Sequence, residues 1–154
     1  MRSFLFLFAI AVSALFASHA SAQTALETVI FITDGVDTPK EPHEENGVLT
    51  YNFGNKATQI DTCHYQIYDA QDTWTYDFSG LSLQNVSYTP DNSGLWTVLH
   101  GVKFCLAKAW NGKSDSNNIL KVGQCKDFAI RVQNRPRFEA ALSHLQTFCK
   151  GRAF

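Results

Sequence analysis

Residues 105–125, CLAKAWNGKSDSNNILKVGQC, place two cysteines at the ends of a polar segment rich in turn-forming residues. A hairpin centred near Asp115 puts Cys105 directly opposite Cys125, because residues equally distant from the centre face each other. Cysteines at opposite positions of an antiparallel pair have the Cα separation that a disulfide requires. The spacing therefore predicts a Cys105–Cys125 disulfide, and with it the register of two strands.

The same register assigns faces to both strands of the hairpin. Lys103 lies opposite Asp127, and both share a polar face with the two cysteines and with Arg131, because side chains two apart point the same way. The other face carries apolar residues, among them Phe104 and Phe128. Lys126 and Gln124 interrupt that apolar face, so the pattern leaves room for a bulge.

The two other cysteines, Cys63 and Cys149, lie on surfaces that are expected to pack together. Cys63 alternates with Tyr65 and Ile67 on the apolar face of a strand. Cys149 lies on the apolar stripe of the final amphipathic segment, NRPRFEAALSHLQTFCKG. A helix packed on the sheet would bring these surfaces together, so the faces predict a second disulfide, Cys63–Cys149.

The first 22 residues have the pattern of a secretory signal peptide. Arg2 precedes an apolar run from Phe4 to Phe16, and Ala20-Ser21-Ala22 offers the small residues that signal peptidase requires. Cleavage after Ala22 leaves residues 23–154 as one domain, with two more acidic than basic residues. We therefore expect a secreted or periplasmic protein, where oxidation favours disulfides, with no membrane span and no affinity for nucleic acid.

Along the mature chain, the patterns predict an α+β fold. TALETVIFITDGVD begins with a capping-box pattern at Thr24 and Glu27 and predicts an N-terminal helix, although VIFIT also has strand composition. Period-two alternation follows, most regularly in DTWTYDFSG, and predicts a mostly meandering antiparallel sheet of six to seven strands. LWTVLHGV and VKFCLAKAW are either two strands or one strand bent at Gly101. Pro136 and the apolar stripe predict a C-terminal helix.

This order of elements resembles the pleckstrin-homology-like architecture, in which a C-terminal helix closes one end of a bent antiparallel sheet. The resemblance rests on the TWTYDF and CHYQIYD strands and on the RFEAALSHLQTFC helix, over roughly residues 48–150. It concerns the fold alone. The basic first loop that binds phosphoinositides in that family corresponds here to GNKATQ, whose one basic residue is Lys56, so lipid binding is not implied.

The motifs of common catalytic and metal sites do not occur. There is no G-x-S-x-G, no C-x-x-C and no H-x-x-x-H, and adjacent residues Cys63 and His64 point to opposite faces of a strand. We therefore expect no cofactor and no structural metal. The acidic segment 34–45 is predicted to be an exposed loop, and it leaves a hard cation as an open alternative because carboxylates are the ligands that calcium prefers. Its acidic residues are Asp34, Asp37, Glu41, Glu44 and Glu45.

The first hypothesis for function is a non-catalytic binding or structural domain whose partner is a protein or small ligand outside the cytoplasm. Its candidate contact residues lie in the predicted hairpin tip: Trp110, Lys113, Asp115 and Asn117. One alternative is a small secreted hydrolase that uses aspartates between residues 61 and 77, because paired carboxylates meet in space and not in sequence. Another is an inhibitor of an extracellular or cell-wall enzyme. The four aspartates of that segment are Asp61, Asp69, Asp72 and Asp77.

Overall fold

The computed structural model describes residues 24–34, 43–52, 54–115 and 120–149. The proposed signal peptide lies outside these ranges, as do Asp37, Glu41 and Asn117. The described chain forms two α-helices and one antiparallel sheet of eight strands. The elements are α1 (Ala25–Asp34), β1 (His43–Glu45), β2 (Val48–Tyr51), β3 (Asn55–Gln59), β4 (His64–Tyr68), β5 (Thr73–Asp77), β6 (Val86–Asp91), β7 (Gly94–Lys108), β8 (Cys125–Val132) and α2 (Arg135–Cys149).

The sheet is a meander that is interrupted once. The strands from β1 to β5 pair in chain order, after which the order becomes β5, β7, β6, and β8 pairs with the other side of β7. The long strand β7 pairs with β6 through its first half and with β5 through its second half. The α+β prediction is confirmed, with eight strands where six or seven were expected. The additional strand is β1, which lies within the segment predicted to be an acidic loop.

The strand β7 is continuous and bends at Gly101, which decides between the two alternatives for residues 94–108. Its pairing with β8 skips from Leu99 to Lys103. Gly101 has a φ of 90°, and an ideal Cβ on this residue would lie 2.8 Å from the carbonyl oxygen of Gly80. A side chain at the bend would therefore meet both an unfavourable backbone conformation and a neighbouring peptide.

Both helices lie against the same face of the sheet. Helix α1 begins with the predicted capping box: Glu27 N–H donates to Thr24 Oγ1 at 3.2 Å, and Thr24 N–H donates to Glu27 Oε2 at 2.7 Å. In α2 the apolar stripe buries Phe138, Leu142 and Leu145. Residues of both helices and of the sheet form one core, whose largest fully buried side chains include Tyr51, Tyr65, Phe78, Ile30, Ile32, Ile67, Leu99, Leu142 and Leu145.

The opposite face of the sheet carries polar side chains, and within the described ranges no helix lies against it. Thr58 pairs with Gln66, which pairs with Thr75, so that hydroxyl and amide groups follow one another across β3, β4 and β5. We call this the outer face. Neither described helix has the length and apolar composition needed to cross a membrane.

Candidate functional site

The hairpin of β7 and β8 is closed by the predicted disulfide. Cys105 and Cys125 are paired residues whose Cα atoms are 4.1 Å apart, and their sulfur atoms are bonded at 2.03 Å. Lys103 faces Asp127, and the two side chains form an ion pair of 2.5 Å on the outer face. The register derived from the sequence is therefore confirmed at both pairs. The ladder is irregular between Leu99 and Lys103, whereas Lys126 pairs in register with Phe104.

Beyond the disulfide, the tip of the hairpin has a small core of its own. Leu106, Ala109 and Leu120 are buried together. Leu106 N–H donates to Gln124 O at 3.1 Å, and Gly123 N–H donates back to Leu106 O at 2.8 Å. These contacts hold residues 106–115 and 120–124 in a defined shape, and residues 116–119 of the tip lie outside the described chain.

A buried carboxylate ties the tip to the neighbouring turn. Asp72, in the turn between β4 and β5, is 1 % exposed, and its Oδ1 accepts a hydrogen bond from Trp110 N–H at 3.1 Å. The same turn is organised by Asp69, which accepts hydrogen bonds from Asp72 N–H and Trp74 Nε1–H, both at 2.9 Å. The backbone of Trp110 is thus fixed from outside the hairpin while its side chain projects from it.

The predicted contact residues of the tip have different environments. Trp110 has the most exposed large hydrophobic side chain described, at 68 %, and Lys113 is also exposed. Asp115 is only 3 % exposed and accepts a hydrogen bond from Leu120 N–H at 2.7 Å. Asp115 is therefore corrected from a contact residue to a structural one, because its carboxylate satisfies a buried backbone donor. The sequence reading missed Val122, which is 42 % exposed.

The second cysteine pair is corrected. Cys63 and Cys149 are free thiols, although helix α2 does bring them together as the face argument expected. The Cys149 Sγ–H donates to Thr62 O at 3.4 Å. Burial, and next a hydrogen bond with Cys63, raise the pKa of the Cys149 thiol, so the reactive thiolate is disfavoured. Packing of the α2 face on the sheet makes Cys63 and Cys149 neighbours. A disulfide requires, in addition, a specific distance and orientation of the two side chains.

Two of the four candidate aspartates flank a histidine on the outer face. His64 Nδ1 lies 2.8 Å from Asp61 Oδ2, and His64 Nε2 lies 3.3 Å from Asp77 Oδ1. The hydrogen bond to Asp61 is the main reason that the pKa of His64 is raised above its usual value. The row continues across the sheet through the Lys103–Asp127 pair to His100 Nδ1, which is 3.6 Å from Asp127 Oδ2. We call these six residues the charged row.

In the charged row each basic side chain lies beside a carboxylate. With a carboxylate at each ring nitrogen, His64 favours the imidazolium form and has no nitrogen left to accept a proton from a nucleophile. Asp69 and Asp72, the other two candidate aspartates, organise the β4–β5 turn instead. Among the described residues there is no group of three or more His, Cys, Asp or Glu placed to hold a metal ion. The sequence did not indicate that His64 and His100 belong to one row, because they lie in different strands, β4 and β7.

Comparison with known proteins identified no relative of this chain. A scan of family models, a search of curated proteins and a search of solved structures gave no significant match. The resemblance to the pleckstrin-homology-like architecture therefore stays a prediction, and function has to be argued from the surfaces described above.

Proposed function

We propose that the protein is an exported, non-catalytic binding module that contacts a protein partner through the tip of its disulfide-closed hairpin. Export is supported by the signal-peptide pattern of residues 1–22 and by the presence of a disulfide, a bond typical of oxidising compartments. The exposure of Trp110 on a well-supported tip is the observation that carries the proposal.

An exposed tryptophan leaves a large apolar surface in contact with water. Trp110 is 68 % exposed, although other aromatic side chains of the same domain, such as Tyr65 and Phe78, are completely buried. Tryptophan is enriched among the residues that dominate binding energy in protein interfaces, because burial of its ring in a partner's pocket removes much apolar surface from water. Trp110 therefore has the properties of an interface anchor.

The surroundings of Trp110 lower the entropic cost of binding. The disulfide, the small core of Leu106, Ala109 and Leu120, and the hydrogen bond from Trp110 to Asp72 restrain its backbone before any partner arrives. A pre-ordered contact loses less conformational entropy on association than a loose one. Lys113 and Val122 extend the exposed surface of the tip with one charged and one apolar side chain.

The same tip also suits an inhibitor, since a disulfide-closed hairpin with an apolar anchor can enter the cleft of an extracellular enzyme. The hydrolase hypothesis has less support. It required carboxylates near an open reaction site, whereas Asp61 and Asp77 both engage His64, and Asp72 is buried by its role in the turn.

The test compares two exposed tryptophans. Trp96, 43 % exposed on a strand of the sheet, provides a matched control for Trp110. The purified mature protein, its W110A variant and its W96A variant are each immobilised and exposed to the extracytoplasmic fraction of the native host, and captured proteins are quantified by mass spectrometry. The partner is then purified and its dissociation constant measured with each variant.

We expect W110A to weaken binding at least about tenfold, the effect of losing an interface anchor, and W96A to leave it nearly unchanged. Circular dichroism should show that both variants remain folded. A partner that binds W110A as well as wild type, or that is lost only with W96A, would contradict the proposal and move the interface to the sheet.

A further inference from the structure

A cavity of about 520 Å³ lies where the end of α1, the end of β8 and the start of α2 meet. Its volume falls in the range of small-molecule sites in proteins. The cavity is separate from the hairpin tip, and none of the residues of the charged row lines it. Its described lining residues are Phe31, Asp34, Ile130, Arg131, Val132, Gln133, Asn134 and Phe138.

Half of the lining residues of the cavity are apolar. Phe31 comes from α1, Phe138 from α2 and Ile130 from β8, and all three pack against the main core. Phe31 and Phe138 are 9 % and 3 % exposed, so both rings are held in place by their neighbours. Ile130 is only partly buried and leaves apolar surface towards the cavity. These walls offer contact to a hydrocarbon group but no charge.

One carboxylate provides the charge. The Asp34 side chain is solvent-accessible, yet burial by the surrounding protein raises its pKa. Solvent accessibility and a pKa raised by burial occur together in a group that lines a concave site, because solvent reaches the group although protein surrounds it. Asp34 Oδ2 accepts a hydrogen bond from Tyr51 O–H at 2.8 Å, and the Thr33 side chain is a second hydrogen-bond partner of this carboxylate. A carboxylate offers about four acceptor positions, so it can accept a further donor. The charge of Asp69 also acts to raise the Asp34 pKa, so the local potential is negative.

Two other polar residues of the lining, Arg131 and Asn134, already have partners. Arg131 donates from Nε and Nη2 to Asp91 Oδ2 at 3.1 and 2.9 Å, which neutralises its charge. Asn134 Oδ1 accepts a hydrogen bond from Arg137 N–H at 3.1 Å as the cap of α2. In the part of the chain that the structure describes, Asp34 forms no ion pair. Asp34 is therefore the charged lining residue at which a cationic ligand can form an ion pair.

We propose that this cavity, the Asp34 cavity, binds an organic ammonium ion whose charged nitrogen pairs with Asp34 and whose apolar part contacts Phe31, Ile130 and Phe138. A carboxylate and an ammonium group form a charge-assisted hydrogen bond. The Arg137 guanidinium already lies over the Phe31 ring, 5.2 Å from its centroid, so this ring contributes apolar contact only. An anion would be repelled by Asp34 and Asp69. A neutral molecule of the same shape would gain only the apolar contacts.

Three probes with the same aromatic body separate these contributions. Binding of 2-phenylethylamine, 2-phenylethanol and phenylacetate to the mature protein is measured by isothermal titration calorimetry at neutral pH. We expect the amine to bind, the alcohol to bind at least about tenfold more weakly because it lacks the charge, and phenylacetate not to bind. Equal binding of the amine and phenylacetate, or no binding of the amine at millimolar concentration, would overturn the proposal.

Two variants assign the site. D34N should weaken amine binding at least about tenfold by removing the charge partner, whereas E44Q, which removes the same charge from the exposed strand β1, should not change it. Unchanged binding by D34N overturns the proposal. Should D34N not fold, amide chemical shifts of the wild-type protein decide: the amine must shift Phe31, Ile130 and Val132, and shifts confined to other residues overturn the assignment. W110A should bind the amine normally, so failure of the hairpin proposal does not decide this one.

Discussion

The two cysteine pairs meet in different ways, and the difference explains the state of each. Cys105 and Cys125 are 20 positions apart, lie opposite each other in a two-stranded ladder, and are bonded. Cys63 directly precedes β4, Cys149 lies in the last turn of α2, and both remain thiols. A ladder determines the mutual position of two side chains closely, whereas a helix packed on a sheet determines which residues are neighbours.

The surroundings of the two pairs differ as well. The hairpin disulfide lies on the outer face and is backed by the small core of Leu106, Ala109 and Leu120. The thiol pair lies where α2 packs on the main core of the domain. We therefore expect changes in the hairpin to act locally and changes at the helix junction to act on the whole domain.

The largest effect is expected in the helix junction. Leu145 of α2 is completely buried, and Leu145→Ala should lower the free energy of unfolding by about 2–5 kcal/mol, because it leaves a cavity in the main core. Leu120→Ala, at a site 2 % exposed in the small hairpin core, is the matched control and should cost less. Urea unfolding followed by circular dichroism measures both. Equal costs would show that the hairpin core is part of the global folding unit.

Removal of the hairpin disulfide should have the next largest effect. The double variant C105S/C125S loses a cross-link between residues 20 positions apart, for which chain entropy predicts at most about 3 kcal/mol. The observed loss should be smaller, since the strand ladder already holds the hairpin. Urea unfolding without reductant measures it, and hydrogen exchange should show the lost protection concentrated in residues 106–124. Loss of protection across α2 would contradict the expected local effect.

The bend of β7 should tolerate a side chain less well than the tip. Gly101→Ala should cost about 1–3 kcal/mol, because it forces a non-glycine residue to positive φ and places a Cβ 2.8 Å from Gly80 O. Gly112→Ala is the matched control: its φ is also positive, at 74°, but the space around it is open. Thermal unfolding compares the two variants. Gly112→Ala costing as much as Gly101→Ala would mean that the close approach of Gly80 contributes nothing.

The smallest effect is expected from the charged row. The folded pKa of His64 is raised, so its contribution to stability is present below the unfolded pKa of about 6.5 and is lost as pH rises through the folded value. The pKa of Asp61 is lowered, chiefly by a hydrogen bond from Cys63 N–H, so its contribution is lost only in acid, below the unfolded value near 3.8. Wild type should therefore lose stability relative to His64→Gln between pH 6 and 9.

Melting temperatures of wild type and His64→Gln across that pH range provide the measurement. The difference should be small, because both partners are exposed and solvent screens their attraction. His43→Gln, on the exposed strand β1, is the control and should follow the wild-type curve. Parallel curves for wild type and His64→Gln would show that the row contributes nothing to folding.

Several elements could be predicted because their signals are local. Thr24 and Glu27 are three residues apart, and the cap that they form involves a single helical turn. The apolar stripe of α2 follows from helical periodicity, and the register of Cys105 and Cys125 follows from symmetry about the hairpin. In each case the interacting residues are close in sequence or joined by a regular ladder, so few alternative arrangements compete.

Other features involve contacts that no local pattern specifies. The approach of Gly80 to Gly101 joins a turn to a bend in another strand. The sequence offers Gly101 as a bend, but nothing in it indicates that Gly80 lies against that bend. Asp115 looks like a turn residue open to solvent, but its carboxylate is buried on Leu120 N–H. The apolar faces of the strand and of α2 predicted that Cys63 and Cys149 are neighbours. They did not predict that the Cys149 thiol donates a hydrogen bond to Thr62 O.

Periodicity, capping signals and cysteine spacing were thus enough to determine that this chain forms an α+β domain with a disulfide-closed hairpin and a C-terminal helix. Burial decided which tip residues face solvent, and packing of α1, α2 and β8 created the Asp34 cavity from residues as far apart in sequence as Phe31 and Phe138. The physical reason is range: hydrogen bonds within a turn or ladder are set by neighbouring residues, whereas a cavity and the charge within it exist only once distant segments have packed.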